Sequence, residues 1–191
     1  MKKSIKNAAI ILLAFVAFSC SDEGNTALKK SSIGEIARAT PQLSSFVEAL
    51  DITGLTSTFD NAGDYTVLAP DDAAFDAVLS AFSEPDLATL EADYPGLLAK
   101  VLKYHVVSSS VLSTSLSNDQ SVSTLFEQPL TVSIIPVDSA NPATYPGQPN
   151  FISFIGNNTT TPSSANVTAR DVKCTNGVIH TIDAVLIPAG L

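Results

Sequence analysis

Apolar residues along this chain follow two different rhythms, and the change falls near Val106. In the first half they recur three and four positions apart, the spacing of one helix face. Leu43, Phe46, Val47 and Leu50 make one such stripe, and Phe75, Val78, Leu79 and Phe82 make a second. Leu98, Val101 and Leu102 make a third that continues into His105. Each stripe predicts a helix packed by one side on a core, and the third turns His105 toward that core. Start signals support them. Ser32 and Glu35 have the spacing of a capping box, and Asp71 stands where the second helix needs an N-cap. Between these helices "YTVLA", from Tyr65, predicts a short strand. In the second half "LTVSII" from Leu130 and "FISFI" from Phe151 are strand-like, while "NVTARDVKC" and "VIHTIDAVLI" flank a Thr175–Asn176–Gly177 turn as a hairpin. The prolines and the glycine between Pro136 and Asn150 make that segment a loop.

The chain has 191 residues, 45% hydrophobic and 15% charged, which suits one compact domain. Its first twenty residues stand apart: Lys2, Lys3 and Lys6, an apolar run from Ala8, then Ala17 and Ser19 before Cys20. This is the pattern of a secretory signal, too short to span a membrane comfortably. It resembles the signal of bacterial lipoproteins, in which the cysteine after the cleavage site is acylated; Phe18 departs from the strictest form. The alternative is ordinary cleavage beside an incidental cysteine. "SDEG", Ser21 to Gly24, resembles the surface-export signal of lipoproteins in the Bacteroidetes. The expected organisation is therefore a signal peptide over 1–19, a lipidated cysteine and polar tether over 20–32, and a single domain over 33–189. Two or three acyl chains hold a small domain on a membrane stably.

Losing the leader removes three lysines and no acid, leaving 7 basic residues against 19 acidic ones. Such a surface opposes nucleic acid and polyanionic glycans as partners. With Cys20 acylated, Cys174 has no partner for a disulfide and reads as a small buried hydrophobe. For hydrolysis the chain shows neither a Gly-x-Ser-x-Gly elbow nor a cysteine poised beside a histidine. Asp71, Asp72 and Asp76 read as helix-start carboxylates rather than an acid–base pair. They lack an oxygen-rich calcium loop, and two distant histidines do not make a zinc pattern, so no metal or cofactor is expected.

Three stretches in order resemble the fasciclin family of extracellular adhesion domains: "YTVLAPDDAAF" (Tyr65–Phe75), the tyrosine–histidine stretch "LKYHVV" (Leu102–Val107) and the closing "NGVIHTIDAVLIP" (Asn176–Pro188). Leu68, Asp71 and Ala73 stand where that family usually carries phenylalanine, threonine and glutamate, a change that keeps strand, proline and cap. The resemblance implies an α+β domain, a wedge or sandwich of two β-sheets flanked by several helices, with no general catalytic activity. Buried imidazoles find backbone partners without any catalysis, so His105 and His180 read as structural. The family's motif nonetheless makes Tyr104 and His105 candidates for binding. The loop from Pro136 to Asn150 adds Asp138, Ser139 and Tyr145, since long loops on a rigid scaffold carry contacts. Its "DSA", Asp138 to Ala140, resembles the O-glycosylation signal of Bacteroidetes secreted proteins, whereas the sequons at Asn157, Asn158 and Asn166 carry little meaning in a bacterium.

The expectation is a non-enzymatic, lipid-anchored adhesion module of the outer membrane, periplasmic or surface-exposed, binding a protein or glycan partner. A binder of small envelope ligands in an apolar pocket between sheet and helices is the alternative, and a hydrolase the last. Cys20→Ala should move the protein from the membrane pellet to the soluble fraction; an unchanged partition would remove the anchor.

Overall fold

The computed structural model of the chain describes residues 31–136, 150–158 and 163–190. Helix α1 (Ile33–Ala39) opens on the capping box: the Glu35 amide donates to Ser32 Oγ at 3.1 Å and the Ser32 amide to the Glu35 carboxylate at 3.0 Å. A single 3-10 turn over Pro41–Leu43 leads into α2 (Ser44–Thr53), which Gly54 stops in the left-handed region. The short α3 (Thr56–Asp60) precedes strand β1 (Tyr65–Pro70). Asp71 caps α4 (Asp72–Phe82), accepting from the Ala74 amide at 2.9 Å. Its neighbour Asp72 caps a different helix, accepting from Ser44 Oγ and the Ser45 amide, each at 2.8 Å. Asp71 thus caps the helix it opens, as its position in the sequence suggested, while Asp72 serves the start of α2. Helices α5 (Leu87–Asp93) and α6 (Leu97–Tyr104) complete the helical half. Gly96 gives α6 no side-chain cap, and Glu91 reaches across instead to take the Gly96 and Leu98 amides at 2.6 and 3.0 Å.

The strands that follow are β2 (Val106–Val107), β3 (Ser121–Ser123), β4 (Pro129–Pro136), β5 (Asn150–Gly156), β6 (Ser164–Cys174) and β7 (Gly177–Ile182). They join β1 in one ladder ordered β2-β1-β7-β6-β5-β4-β3, in which β1 and β7 run parallel and the other pairs antiparallel. The two sheets implied by the family resemblance are here one continuous sheet. Two register shifts in β6, between Val167 and Ala169 and between Ala169 and Val172, mark bulges, and bulges bend a strand. A bridge from Val107 to Thr124 brings the two outer strands together, so the sheet closes almost into a barrel.

Two cores result. Val67, Ala69 and Ile179 face the helices, where they meet Phe46, Phe75 and Leu102. Leu68, Ile182, Val132, Ile152 and Phe154 face the inside of the curled sheet. The alternation at the start of "LTVSII" reflects this, for Leu130 and Val132 point inward while Thr131 stays exposed. The closing hairpin differs from its sequence reading in one respect. β7 ends at Ile182, and the residues after it run outside any strand, with Val185 and Leu186 still buried.

The turn between β6 and β7 ties this sheet to the start of the domain. Asn176 is buried; its Oδ1 accepts from the Ile33 amide at 2.9 Å, and its Nδ2 donates to the Phe59 and Asn61 carbonyls, each at 2.8 Å. Gly177 follows at φ 146°, where a Cβ would lie 1.9 Å from the Tyr65 carbonyl oxygen. Asn176→Ala leaves one amide and two carbonyls to find other partners, and should cost about 3 kcal/mol. Chemical unfolding that gave a loss under about 1 kcal/mol would show that water replaces all three bonds.

Candidate functional site

The site is built outward from the end of α6. Tyr104 and His105 are both 0% exposed, and they point into different surroundings. The Tyr104 ring belongs to the core inside the sheet, edge-on to Phe126 at 6.3 Å. Its hydroxyl accepts from the Asn157 amide and donates to Asn157 Oδ1, both at 3.0 Å, with the Pro129 carbonyl 3.3 Å away. Burial raises its pKa, partly offset by the Asn157 amide. His105 ends the helix: Nδ1 lies 2.7 Å from the Val101 carbonyl, and Nε2 accepts from the Leu186 amide at 2.9 Å. A ring that donates through Nδ1 and accepts through Nε2 is neutral. His105 therefore joins α6 to the segment after β7.

His180 is fixed in the opposite sense. The Asp171 amide donates to its Nδ1 at 3.1 Å, and its Nε2 lies 3.0 Å from the Val111 carbonyl. Ser113 bonds Asp171 through both its amide, at 2.7 Å, and its hydroxyl. Serine, aspartate and histidine thus come together, but wired for structure: the serine hydroxyl faces the carboxylate, and the histidine uses both nitrogens on backbone. A nucleophile–base pair would need the hydroxyl on the imidazole.

Beside this framework lies an apolar cleft of about 820 Å³, within the usual size of small-ligand sites. One wall is α4 and α5, the second is α6, and the third is the segment after β7 that His105 holds in place. Val78, Phe82, Leu98 and Val101 line it from the helices, and Val185 and Ile187 from the other side. Phe82 meets Tyr94 edge-on at 5.1 Å, and Tyr94, 45% exposed, stands at the mouth with Asp93 and Lys100. At the floor Asn158 donates from Nδ2 to the Pro188 carbonyl at 3.3 Å.

Among the residues singled out in the sequence, the structure brings Tyr104 and His105 together, fully buried. Neither side chain can touch a surface partner. What they hold is the Leu186 segment and Asn157. Cys20, Asp138, Ser139 and Tyr145 lie outside the described residues. All three sequon asparagines use their side chains internally, Asn166 on Asp183 at 2.9 Å. Cys174 is buried with its thiol toward the Val172 carbonyl. Among the described residues no His, Cys, Asp and Glu group could hold a metal ion, and no helix is long and apolar enough to cross a membrane. The sequence offered an apolar pocket between sheet and helices as an alternative, but not the residues that line this cleft. Phe75, Val78, Leu79 and Phe82 were expected to be uniformly core, yet only Phe75 is fully buried, and Val78 and Phe82 face the cleft.

A family model described as the fasciclin domain matches residues 41–188. Transforming growth factor-beta-induced protein ig-h3 of Sus scrofa is 27% identical over 157 residues, covering 82% of this chain and 19% of that protein. Stabilin-1 of Homo sapiens is 28% identical over 160 residues, covering 83% of this chain and 5% of its own length. The chain thus spans a small part of these animal proteins, whereas protein sll1483 of Synechocystis, 27% identical over 157 residues, is covered over 73% of its length. Among solved structures, a domain pair from the insect cell adhesion molecule fasciclin I aligns with a TM-score of 0.54 at 17% identity, over 76% of this chain and 45% of that one.

The two histidines give the fold a pH signature. Burial pushes His105 down from 6.5 to about 4, against the pull of the Val101 carbonyl, and burial likewise lowers His180. Both are depressed bases, so the folded form takes up their protons later than the unfolded chain does. Their contribution is complete above pH 6.5 and fades as pH falls toward 4. Unfolding free energy should drop by about 2 kcal/mol between pH 7 and pH 5, before most carboxylates protonate. His105→Gln should start less stable and show a flatter slope; an unchanged slope would remove His105 as its source.

Proposed function

The chain belongs to the fasciclin domain family, and from that premise we propose that it is a non-enzymatic adhesion and binding module of the cell envelope, recognising a protein or glycan partner. The observation that carries this reading is the family match over residues 41–188, which takes in both histidines and the whole sheet. The wiring of His105 and His180 supports it, because each ring spends both nitrogens on the backbone. The anchor is the lipid on Cys20, which tethers the domain at the outer membrane through residues 21–32. Partner contacts fall on the loop with Asp138, Ser139 and Tyr145 and on the surface that the buried Tyr104–His105 pair supports. A second reading, a binder of small apolar ligands, is favoured by the cleft between α4, α5 and α6.

The Cys20→Ala chain, immobilised on beads, is offered envelope extract that is untreated, protease-treated or periodate-oxidised. Capture lost to protease marks a protein partner and capture lost to periodate a glycan. Replacing Ala140 to Gln148 by a short Gly-Ser link should reduce capture several-fold with little change in melting temperature. If untreated extract yields no specific capture, the adhesion reading fails, and an apolar compound extracted by solvent from the purified protein would favour the second reading.

A further inference from the structure

The sheet leaves one broad face uncovered. The helical core takes residues from β1, β2, β6 and β7 and none from β3, β4 or β5, so the outer side of those three strands meets solvent. Register sets this side out in rows. Ser121, Thr131, Ile155 and Ser164 lie opposite one another across β3, β4, β5 and β6, all exposed, and Ser133, Ser153 and Asn166 form the next row. Ile135 and Phe151 pair beyond them. Their neighbours along the strands, among them Leu130, Val132 and Phe154, belong to the core inside the sheet. In a chain with 19 acidic and 10 basic residues this region is almost bare of charge. Among the described residues from Gln120 to Ala169 the one charged side chain is Glu127, in the turn between β3 and β4. Its hydroxyls are largely idle. Ser153 Oγ donates to Asn166 Oδ1 at 2.8 Å and the Asn166 side-chain amide serves Asp183, but Ser121, Thr131, Ser133 and Ser164 make no side-chain hydrogen bond among the described residues.

We propose that this face binds an uncharged polysaccharide lying across β3 to β6. The inference rests on the reading that the domain recognises a protein or glycan partner, and it narrows that partner's chemistry. A sugar ring offers hydroxyls around its rim and C–H groups on its faces. Serine and threonine hydroxyls both donate and accept, as sugar hydroxyls do, so the four idle ones can bond a sugar in either sense. Ladder geometry spaces such groups about 4.8 Å from strand to strand and about 7 Å along one strand, within reach of successive rings directly or through one water. Ile155, 37% exposed within its row, gives a C–H face its apolar seat. An open face without walls suits a chain that collects weak contacts from several rings, rather than one terminal sugar held in a pocket. Other occupants fit less well. An ordinary protein surface brings charged groups that would lose water here and gain no counter-charge. A membrane surface calls for cations or a large apolar insert, and a polyanion is opposed by the acidic residues elsewhere on the domain. A second copy would set two Ile155 side chains within two fields of hydroxyls, little apolar area for a stable dimer.

The full-length Cys20→Ala chain is mixed with beads bearing dextran, mannan, galactan or laminarin, and with alginate beads as the acidic counterpart; the protein left in solution measures binding. At least one of the neutral polysaccharides should retain the chain and alginate should not. Retention should change less than about twofold between about 0.05 and 0.5 M salt, because no ion pairs are made. Thr131→Lys, which puts a charge among the hydroxyls, should lower retention about tenfold, and the double variant Thr131→Val, Ser164→Ala about fivefold. Ile52→Lys, at an exposed apolar residue of α2, should bind as the parent does, and melting curves confirm the fold of each variant. Retention by none of the neutral beads, retention by alginate alone, or retention that a folded Thr131→Lys chain keeps in full would overturn the proposal. So would sedimentation that shows a dimer split by Thr131→Lys, since the face would then belong to a second copy. If the beads fail while capture from envelope extract persists, this face is refuted and the adhesion reading stands. If that capture is absent too, both fail.

Discussion

A buried imidazole ties the last α-helix to the segment after the last strand. His105 terminates α6, takes a helical carbonyl on one nitrogen and presents the other to the amide of Leu186. Buried far from water, each of these groups would be costly without its partner. The pairing therefore fixes where the chain runs after β7: Leu186 drops into the core inside the sheet, while Val185 packs with the helices. The segment so fixed supplies Val185 and Ile187 to one wall of the apolar cleft.

A tyrosine–histidine pair with no exposed surface thus shapes the groups around it from within. Tyr104 organises the backbone at Asn157, next to the Asn158 that forms part of the cleft floor, and His105 organises the opposite wall. A change at either residue alters the outer surface by moving its supports. The same logic applies to His180, which braces the bulged part of β6 at Asp171 and the segment around Val111. Asp171 sits there at φ 60°, and Ser113 saturates its carboxylate.

Much of this was legible in the residues. Capping needs a particular side chain three positions from an amide, so Ser32, Glu35 and Asp71 announced their helices. Strands with one wet face alternate, so "LTVSII" announced β4. Elements of two to seven residues left weaker traces: β2, β3, α3 and α5 are too short for a period to repeat, and their positions follow from tertiary contact. The continuity of the sheet was hidden because bulges are matters of register between strands, invisible within either one. The lining of the cleft was hidden for a related reason. Its walls come from residues as much as a hundred and more positions apart, and a stripe of apolar residues looks the same whether it meets a packed core or an open groove.

The parallel pairing of β1 with β7 also bears on how the chain reaches this form. Tyr65 lies opposite Gly177, more than a hundred residues later, and β1 has β7 as its neighbour over its whole length but β2 over only two residues. Until the last strand arrives, one edge of β1 is unsatisfied and the helical core lacks Ile179 as its cover. Contacts of such sequence separation slow folding and leave partly folded chains prone to sticking together. The domain is thus completed from its far end: a chain that lacked its final fifteen residues would keep every helix and six strands, yet have nothing to close β1.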